Sequence, residues 1–373
     1  CAMDAVCFAA RTSSLNGCEC VCAAGGYGDT CLPAAVPESL GPFPLSDAKD
    51  TEIRCVHGGS ISFVDIPDSG VRGLCFVNVT FTAAIVLELS RVDALEQALN
   101  ITLLQCVLVG LSIRGSGARV HVNVTSSMMD SGALEFEGDF GANSQILVVG
   151  STLVTTLGYA IQFPTITFGG NTTLLLLDSC IEGKFYAVYF PVAVVLDGGG
   201  IILKGNELRA KKKDYRSASA VYYNGVYVKN GGYFYVENNT ISAVSGLYFL
   251  GDTTVSSAGL LRVADCIFFG GVGPFFEPAL VYFDGSVTLQ GGAQWRVEGN
   301  NVSAALVLTM EEALHKIKLS DSGTTVALAH NRQVGSSKAF AKILPWSTIV
   351  TSPAKFVVGC NMQEDEEVSY DGV

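Results

Sequence analysis

Cleavage of a polysaccharide by a repeat-built chain calls for paired carboxylates on one strand face, one donating a proton and one accepting it. Asp178, Glu237 and Asp265 are the candidates, but each lies beside an expected corner between strands and in a separate coil. Corner hydrogen bonding or a solvated turn accounts for all three, and no Asp-Asp pair occurs anywhere in the chain. The four histidines, His57, His121, His315 and His330, show no i, i+4 pairing and no cysteine at ligand spacing, so neither a metal nor a cofactor is expected. Gly198-Gly199-Gly200 and Gly270-Gly271-Val272-Gly273 lack the lysine and the strand-to-helix setting of a phosphate loop and read as turns. No G-x-S-x-G elbow is present, so a nucleophilic serine is not arguable and no enzyme is expected.

Charge points to partners instead. The chain of 373 residues carries 23 Lys and Arg against 35 Asp and Glu, for a net charge of -12, and only 16% of its residues are charged. With a pI near 4.8 it lacks the basic face of a nucleic-acid binder. Against that background the run RAKKKDYR stands out. Arg209, Lys211, Lys212, Lys213 and Arg216 form a candidate site for a sulfated glycan or an acidic protein; a merely solvated loop is the plainer alternative.

Twelve cysteines are present, and Cys1, Cys7, Cys18, Cys20, Cys22 and Cys31 crowd into the first 31 positions. That density reads as a disulfide framework made in an oxidising compartment. Zinc is the weaker reading, because C-x-C-x-C without a nearby histidine is not ligand spacing. Six N-x-[ST] sequons, at Asn78, Asn100, Asn123, Asn171, Asn238 and Asn301, fit the same secretory route.

A mean hydropathy of +0.38 raises the question of a membrane span. The longest apolar run, Ala187 to Leu196, is far short of the roughly 18 residues a helix needs, so no span is expected. The first residues lack the charged and apolar regions of a signal peptide, which suits an ectodomain fragment whose leader has been removed. High hydropathy with 41 glycines is what many short buried strands separated by tight turns produce.

A recurring pattern decides the architecture: an apolar strand, a small polar residue, one further residue, then another apolar position. It appears as FVNVTF at Asn78, LLQCVL at Gln105, NVTSSMM near Ser127, VGSTLV at Ser151, LLDSCI at Ser179, KGNELR at Asn206, ENNTIS at Asn239, VADCIF at Asp265, EGNNVS at Asn300, AHNRQV at Asn331 and VGCNMQ near Cys360. Such spacing marks a solenoid or array. The expected fold is all-β, a right-handed parallel β-helix (a β-solenoid, pectin-lyase-like) with a disulfide-rich N-terminal cap; a propeller, whose blades repeat at longer intervals, is the rival. Asparagine at the corners tolerates left-handed backbone, and a ladder of corner residues would satisfy neighbouring amides. Alternation places Val120, Val122 and Val124 inward with His121 and Asn123 outward, and Trp295 and Val297 inward. Helical composition is confined to VDALEQALN (Val92 to Asn100) and TMEEALHKI (Thr309 to Ile317). The expected organisation is a cysteine-rich cap at 1–31, a Pro-rich linker at 32–50, the β-helix at 51–362 and an acidic tail or stalk at 363–373.

Cys20-x-Cys22-x8-Cys31 with Gly25, Gly26 and Gly28 resembles the second half of an epidermal-growth-factor-like module. That resemblance implies bridges Cys1–Cys18, Cys7–Cys20 and Cys22–Cys31, although only Glu19 separates Cys18 from Cys20, fewer residues than the family has there. Followed by NNTIS-type and DCIF-type coils, the cysteine-rich opening is similar to the dispersed gene family of trypanosome surface proteins, or to a related kinetoplastid surface or flagellar glycoprotein. The likeness implies a membrane-anchored glycoprotein exposed on the parasite, with a part in adhesion, and carries over no catalytic residue. Cys55 and Cys75, about one coil apart, are candidates for a bridge between coils; Cys106, Cys180 and Cys266 share a corner phase and read as buried free thiols.

The expected function is a non-catalytic surface or secreted ectodomain displaying loops to a host or self surface protein or glycan. A polysaccharide-active lyase or hydrolase and a passive spacer are the alternatives. An open sheet edge at the end of a solenoid makes a homo-oligomer a further expectation.

Overall fold

Strand after strand alternates between buried and accessible side chains, as in Thr173–Leu177 and Tyr233–Glu237. The computed structural model describes residues 20–21, 27–28, 52–62, 64, 71–89, 98–212, 218–271, 278–310, 316–335, 341–343, 348–351, 353–363 and 366–368. Five of the six N-terminal cysteines therefore lie outside the described residues, as does the whole Pro-rich segment; Cys20 is in the two-residue strand Cys20–Val21, antiparallel to Tyr27–Gly28.

The remaining strands form four sheets of 12, 13, 10 and 7 strands, and each neighbouring pair is parallel except one at the C-terminal end. One coil shows the order: Tyr186–Phe190 in the ten-stranded sheet, Val194–Asp197 in the seven-stranded, Gly200–Lys204 in the twelve-stranded and Glu207–Ala210 in the thirteen-stranded. The chain then returns to the ten-stranded sheet at Ser219–Tyr223, paired in parallel on Tyr186–Phe190. This is a parallel β-helix. Inward positions stack on inward positions: Leu103, Val124, Val148, Leu176, Leu203, Val236, Val263, Val297 and Leu328 are successive register partners and all buried. Val120, Val122, Val124, Trp295 and Val297 are inward as the alternation requires.

The corner between the twelve- and thirteen-stranded sheets is the most regular turn. Its left-handed residue is Asn78, Gln105, Ser126, Gly150, Asp178, Gly205, Asn238, Asp265, Gly299, His330 or Cys360, with φ between 47° and 69°. The next residue, rather than the left-handed one, is the buried polar rung, which corrects the expectation that one asparagine does both jobs. Backbone N–H groups of Cys106, Ser127 and Ser151 donate to Ser127 Oγ, Ser151 Oγ and Ser179 Oγ at 3.1, 3.2 and 3.1 Å. Those of Ser179, Asn206, Cys266, Asn300 and Asn331 donate to the side-chain oxygens of Asn206, Asn239, Asn300, Asn331 and Asn361 at 2.8 to 3.1 Å. Each asparagine Nδ2 also donates to a carbonyl of the preceding coil, Asn300 to Val263 O at 3.0 Å for example. Corner amides that strand pairing leaves over are thus satisfied without water.

Inside, a column of rings runs along the ten-stranded sheet. Phe136, Phe163, Phe190, Tyr223, Phe249 and Phe283 follow one another with centroids 4.6 to 5.4 Å apart. Trp295 meets Phe283 edge-on at 5.0 Å. Tyr223 is an exception among them, because its hydroxyl is fully buried and has no hydrogen-bond partner among the described residues.

Three expectations need correction. Leu99 and Asn100 belong to the strand Leu99–Leu104, and Thr309, Met310 and Ile317 to strands Leu306–Met310 and Ile317–Leu319; in-register pairing outweighs helix propensity there, and apart from Ala98 and Lys316, which lie in no strand, the rest of both segments lies outside the described residues. The acidic segment begins as structure, since Glu366–Val368 folds back antiparallel on Asn361–Gln363. Cys55 and Cys75 are register partners on adjacent strands yet both are free thiols; burial, then the hydrogen bond with Cys55, pushes the Cys75 thiol up to about 12. Cys106 and Cys266 are buried free thiols as expected, whereas Cys180 is disulfide-bonded and sits one residue beyond its rung, Ser179.

Asn300→Ala removes the acceptor of the Cys266 N–H and the donor to Val263 O. A loss of about 3 kcal/mol is expected in denaturant unfolding, and an unchanged midpoint would show the ladder to be dispensable. Tyr223→Phe deletes an unpartnered buried hydroxyl and keeps the ring column, so a gain of about 1 kcal/mol is expected; a lower melting temperature would reveal a partner for that hydroxyl.

Candidate functional site

In-register stacking brings outward side chains of adjacent coils side by side at about 4.8 Å. On the thirteen-stranded sheet it aligns Glu182, Arg209, Ser242 and Phe269, with Glu207 and Thr240 in the neighbouring row. The Glu182 side chain is only 11% exposed, with Lys211 Nζ at 2.5 Å and Arg209 Nη1 at 3.5 Å. Arg209 also pairs with Glu207. Burying a carboxylate this far is costly unless it is paired. An open cavity of about 430 Å³ lies here, lined by Glu182, Glu207, Arg209, Lys211, Ser242 and Phe269 among others. The Phe269 residue is 49% exposed at its rim.

The surface continues round the corner into the ten-stranded sheet. The Lys212 N–H donates to Lys184 O at 2.8 Å, so the two lysines lie on stacked coils. Their Nζ atoms are 5.5 Å (Lys184) and 5.4 Å (Lys212) from the Phe185 ring centroid, within cation–π range. Neither is paired with a carboxylate among the described residues.

Phe185 in turn meets Tyr186 at 6.3 Å, the start of an outward tyrosine row. Tyr186 and Tyr189 stack at 4.7 Å, Tyr159 and Tyr189 at 5.6 Å, and Tyr222 approaches Tyr186 and Tyr189 at 4.9 and 5.2 Å. The row continues through Tyr248 and Tyr282, which are buried, at 5.5 and 5.0 Å. Tyr159, Tyr186, Tyr189 and Tyr222 are half-buried. Burial, with the neighbouring Tyr186, Tyr189 and Asp284 adding to it, pushes the Tyr222 hydroxyl up to about 12. The Tyr159 hydroxyl is raised by burial and then by Glu135, to which it donates at 3.4 Å. Both remain hydrogen-bond donors at any physiological pH.

Of the expected basic site, Arg209, Lys211 and Lys212 are described while Lys213 and Arg216 lie outside the described residues. Arg209 ends up in a strand, and both it and Lys211 are ion-paired, because outward stacking sets them beside Glu182 and Glu207. Lys212 alone of these three has no carboxylate partner among the described residues. The acidic candidates are not brought together: Asp178 and Asp265 occupy left-handed corners, and Glu237 shares Arg262 with Glu298. No group of three or more His, Cys, Asp or Glu able to hold a metal occurs among the described residues. All six sequon asparagines are described; Asn123 is half-buried and the other five are exposed.

The tyrosine row escaped the sequence reading although a signal exists. YAVYF, SAVYY, SGLYF and ALVYF each end in tyrosine followed by Phe or Tyr. In each pair the first ring points out and the second in.

Coils, rungs and ring columns define a β-helix with one laterally continuous basic and aromatic surface. Residues 97–266 match the model of the DGF-1 beta-sheet domain. That match, over just under half of the chain, agrees with the resemblance to the dispersed gene family of trypanosomes; DGF-1 is a surface family. Comparisons with curated proteins and with solved structures give no match. No helix among the described residues is long and apolar enough to cross a membrane.

Glu182→Gln removes the carboxylate that holds Lys211 and one arm of Arg209. The variant is expected to elute from a heparin column at higher salt than the parent; identical elution would mean that the freed cations do not face solvent.

Proposed function

We propose that the chain is a non-catalytic ectodomain segment of a trypanosome surface glycoprotein, a rigid β-helix whose outer surface binds a protein or glycan on another surface. An EGF-like cap and N-glycans at the six sequons belong to this reading. The observation that carries it is the surface running from the Glu182–Arg209–Lys211 cavity over Phe185, with Lys184 and Lys212, to the tyrosines. It combines cations, of which Lys184 and Lys212 have no carboxylate partner among the described residues, with exposed ring edges and phenolic donors, the side-chain chemistry enriched in recognition surfaces. Stacked coils hold these groups on rigid strands, so binding costs little ordering entropy.

The fact that Glu182 and Glu207 line one cavity favours a second reading, an enzyme acting on a polysaccharide. In that reading they would supply the acid and base.

The test is binding of the secreted, glycosylated protein to intact mammalian cells, with and without sulfated glycan, beside a Lys211→Ala, Lys212→Ala, Lys213→Ala variant. Saturable binding that the variant loses supports adhesion through the basic segment. Absence of binding supports a passive spacer, and cleavage of any member of a polysaccharide panel supports the enzyme.

A further inference from the structure

All six sequons lie away from the ten-stranded sheet. Asn100 and Asn123 are on the outer face of the twelve-stranded sheet, Asn78 and Asn238 at its ladder corner, Asn171 at the turn into it, and Asn301 on the thirteen-stranded sheet. Glycans at these positions obstruct a protein-sized partner on those sides and leave the part of the ten-stranded sheet around Tyr159, Tyr186, Tyr189 and Tyr222 accessible.

That sheet also carries an ordered distribution of charge. On the N-terminal side of the tyrosines, Arg114 bridges Glu88 and Glu137 at 2.7 and 3.1 Å, and Glu135 lies on the same face. Three carboxylates against one guanidinium leave this end acidic. The basic end is the Lys184–Phe185–Lys212 corner. By coil order Tyr159 sits between them, and Tyr186, Tyr189 and Tyr222 lie beside the lysines on the coils that follow, with their ring faces largely occupied by one another. Outward they present edges and hydroxyls, which suit a flat protein surface better than the free ring face on which a sugar stacks.

We propose that this face is where two copies of the chain meet, in a two-fold contact with the tyrosines at its centre and Glu135 and Glu137 of each copy against Lys184 and Lys212 of the other. A two-fold axis lying in the interface, midway between the acidic and basic ends, exchanges those ends and passes through the tyrosines, so one patch complements itself. Chains of net charge -12 repel each other in general, and contact is favourable only where opposite charges face. Strands about 4.8 Å apart with a few outward residues each give a patch of roughly a few hundred Å² per copy, below the ~800 Å² of a standard interface. The contact is therefore weak in dilute solution and populated where copies are crowded on one surface.

The glycan argument rests on the glycoprotein reading, whereas the association does not, so sedimentation equilibrium is run on glycosylated and on deglycosylated protein up to the solubility limit. A reversible monomer–dimer equilibrium is expected in both. Lys184→Glu with Lys212→Glu, and separately Glu135→Lys with Glu137→Lys, each weaken dimerisation at least about tenfold through like-charge contact, while an equimolar mixture of the two variants restores it. Glu135→Asn with Glu137→Thr creates a sequon on this face, and its glycan abolishes dimerisation without a charge reversal. Circular dichroism checks that every variant is folded. Monomers at all concentrations, or a dimer indifferent to reversals and glycan, overturn the proposal. So does a glycan on this face that blocks cell binding in a chain that never self-associates, since the partner is then another protein.

Discussion

The polar ladder at one corner is the constraint on which the rest of this protein depends. A parallel coil must turn between sheets without leaving amides unpaired inside an apolar column, and an unpaired buried N–H costs about 1 to 3 kcal/mol. A left-handed residue turns the chain, and the next residue, small and polar, accepts the N–H of the neighbouring coil. Serines occupy the rungs from Ser127 to Ser179 and asparagines most of those from Asn206 to Asn361. The asparagines are the stronger rungs because Nδ2 reaches a carbonyl of the preceding coil at 2.7 to 3.0 Å, where the Ser127 and Ser151 hydroxyls reach theirs only at 3.4 and 3.3 Å. Once this corner is held in register, Leu176 must stack on Leu203 and Phe190 on Tyr223, and the core follows from repetition.

The same registration accounts for the outer surface. Anything outward in one coil stands beside its equivalent in the next, so like residues make columns and opposite charges find each other. Arg262 between Glu237 and Glu298, Arg114 between Glu88 and Glu137, and Arg209 beside Glu182 are three versions of one arrangement on different sheets. A basic run read as a free loop therefore loses much of its charge to its neighbours. Lys184 and Lys212, at the sheet corner where the outward columns diverge, have no carboxylate partner among the described residues.

Architecture was far more legible than the site. Corner polar residues and strand alternation appear directly in KGNELR, ENNTIS and ARVHVNV, because a repeat displays the same constraint many times. The left-handed position was misread by one residue because Asn-Asn and Asp-Ser corners hold two polar residues, and only hydrogen bonding tells turn from rung. Thr309 and Met310 carry helical neighbours in sequence but pair in register with Tyr282 and Phe283, a long-range contact that local propensity cannot report. The tyrosine row was missed for a different reason. YF pairs look like continuous apolar strand, and their division into an outward and an inward ring is visible only once the four sheets are assigned.

Four sheets also allow one chain to separate its tasks by side. The sequons belong to the twelve- and thirteen-stranded faces and their corners, where those in strands are outward and Asn78, Asn171 and Asn238 occupy turns. The ten-stranded face has the opposite character: its outer tyrosines rest on strands whose inner side is the continuous ring column from Phe136 to Phe283. Rings above and below one sheet stiffen it, and a stiff sheet without a sequon keeps its outer residues in fixed relative positions. Position along the axis then becomes the variable that a sequence of this kind can change, because replacing one outward residue in one coil moves charge or ring area by a single 4.8 Å step while the ladder, and with it the fold, is untouched.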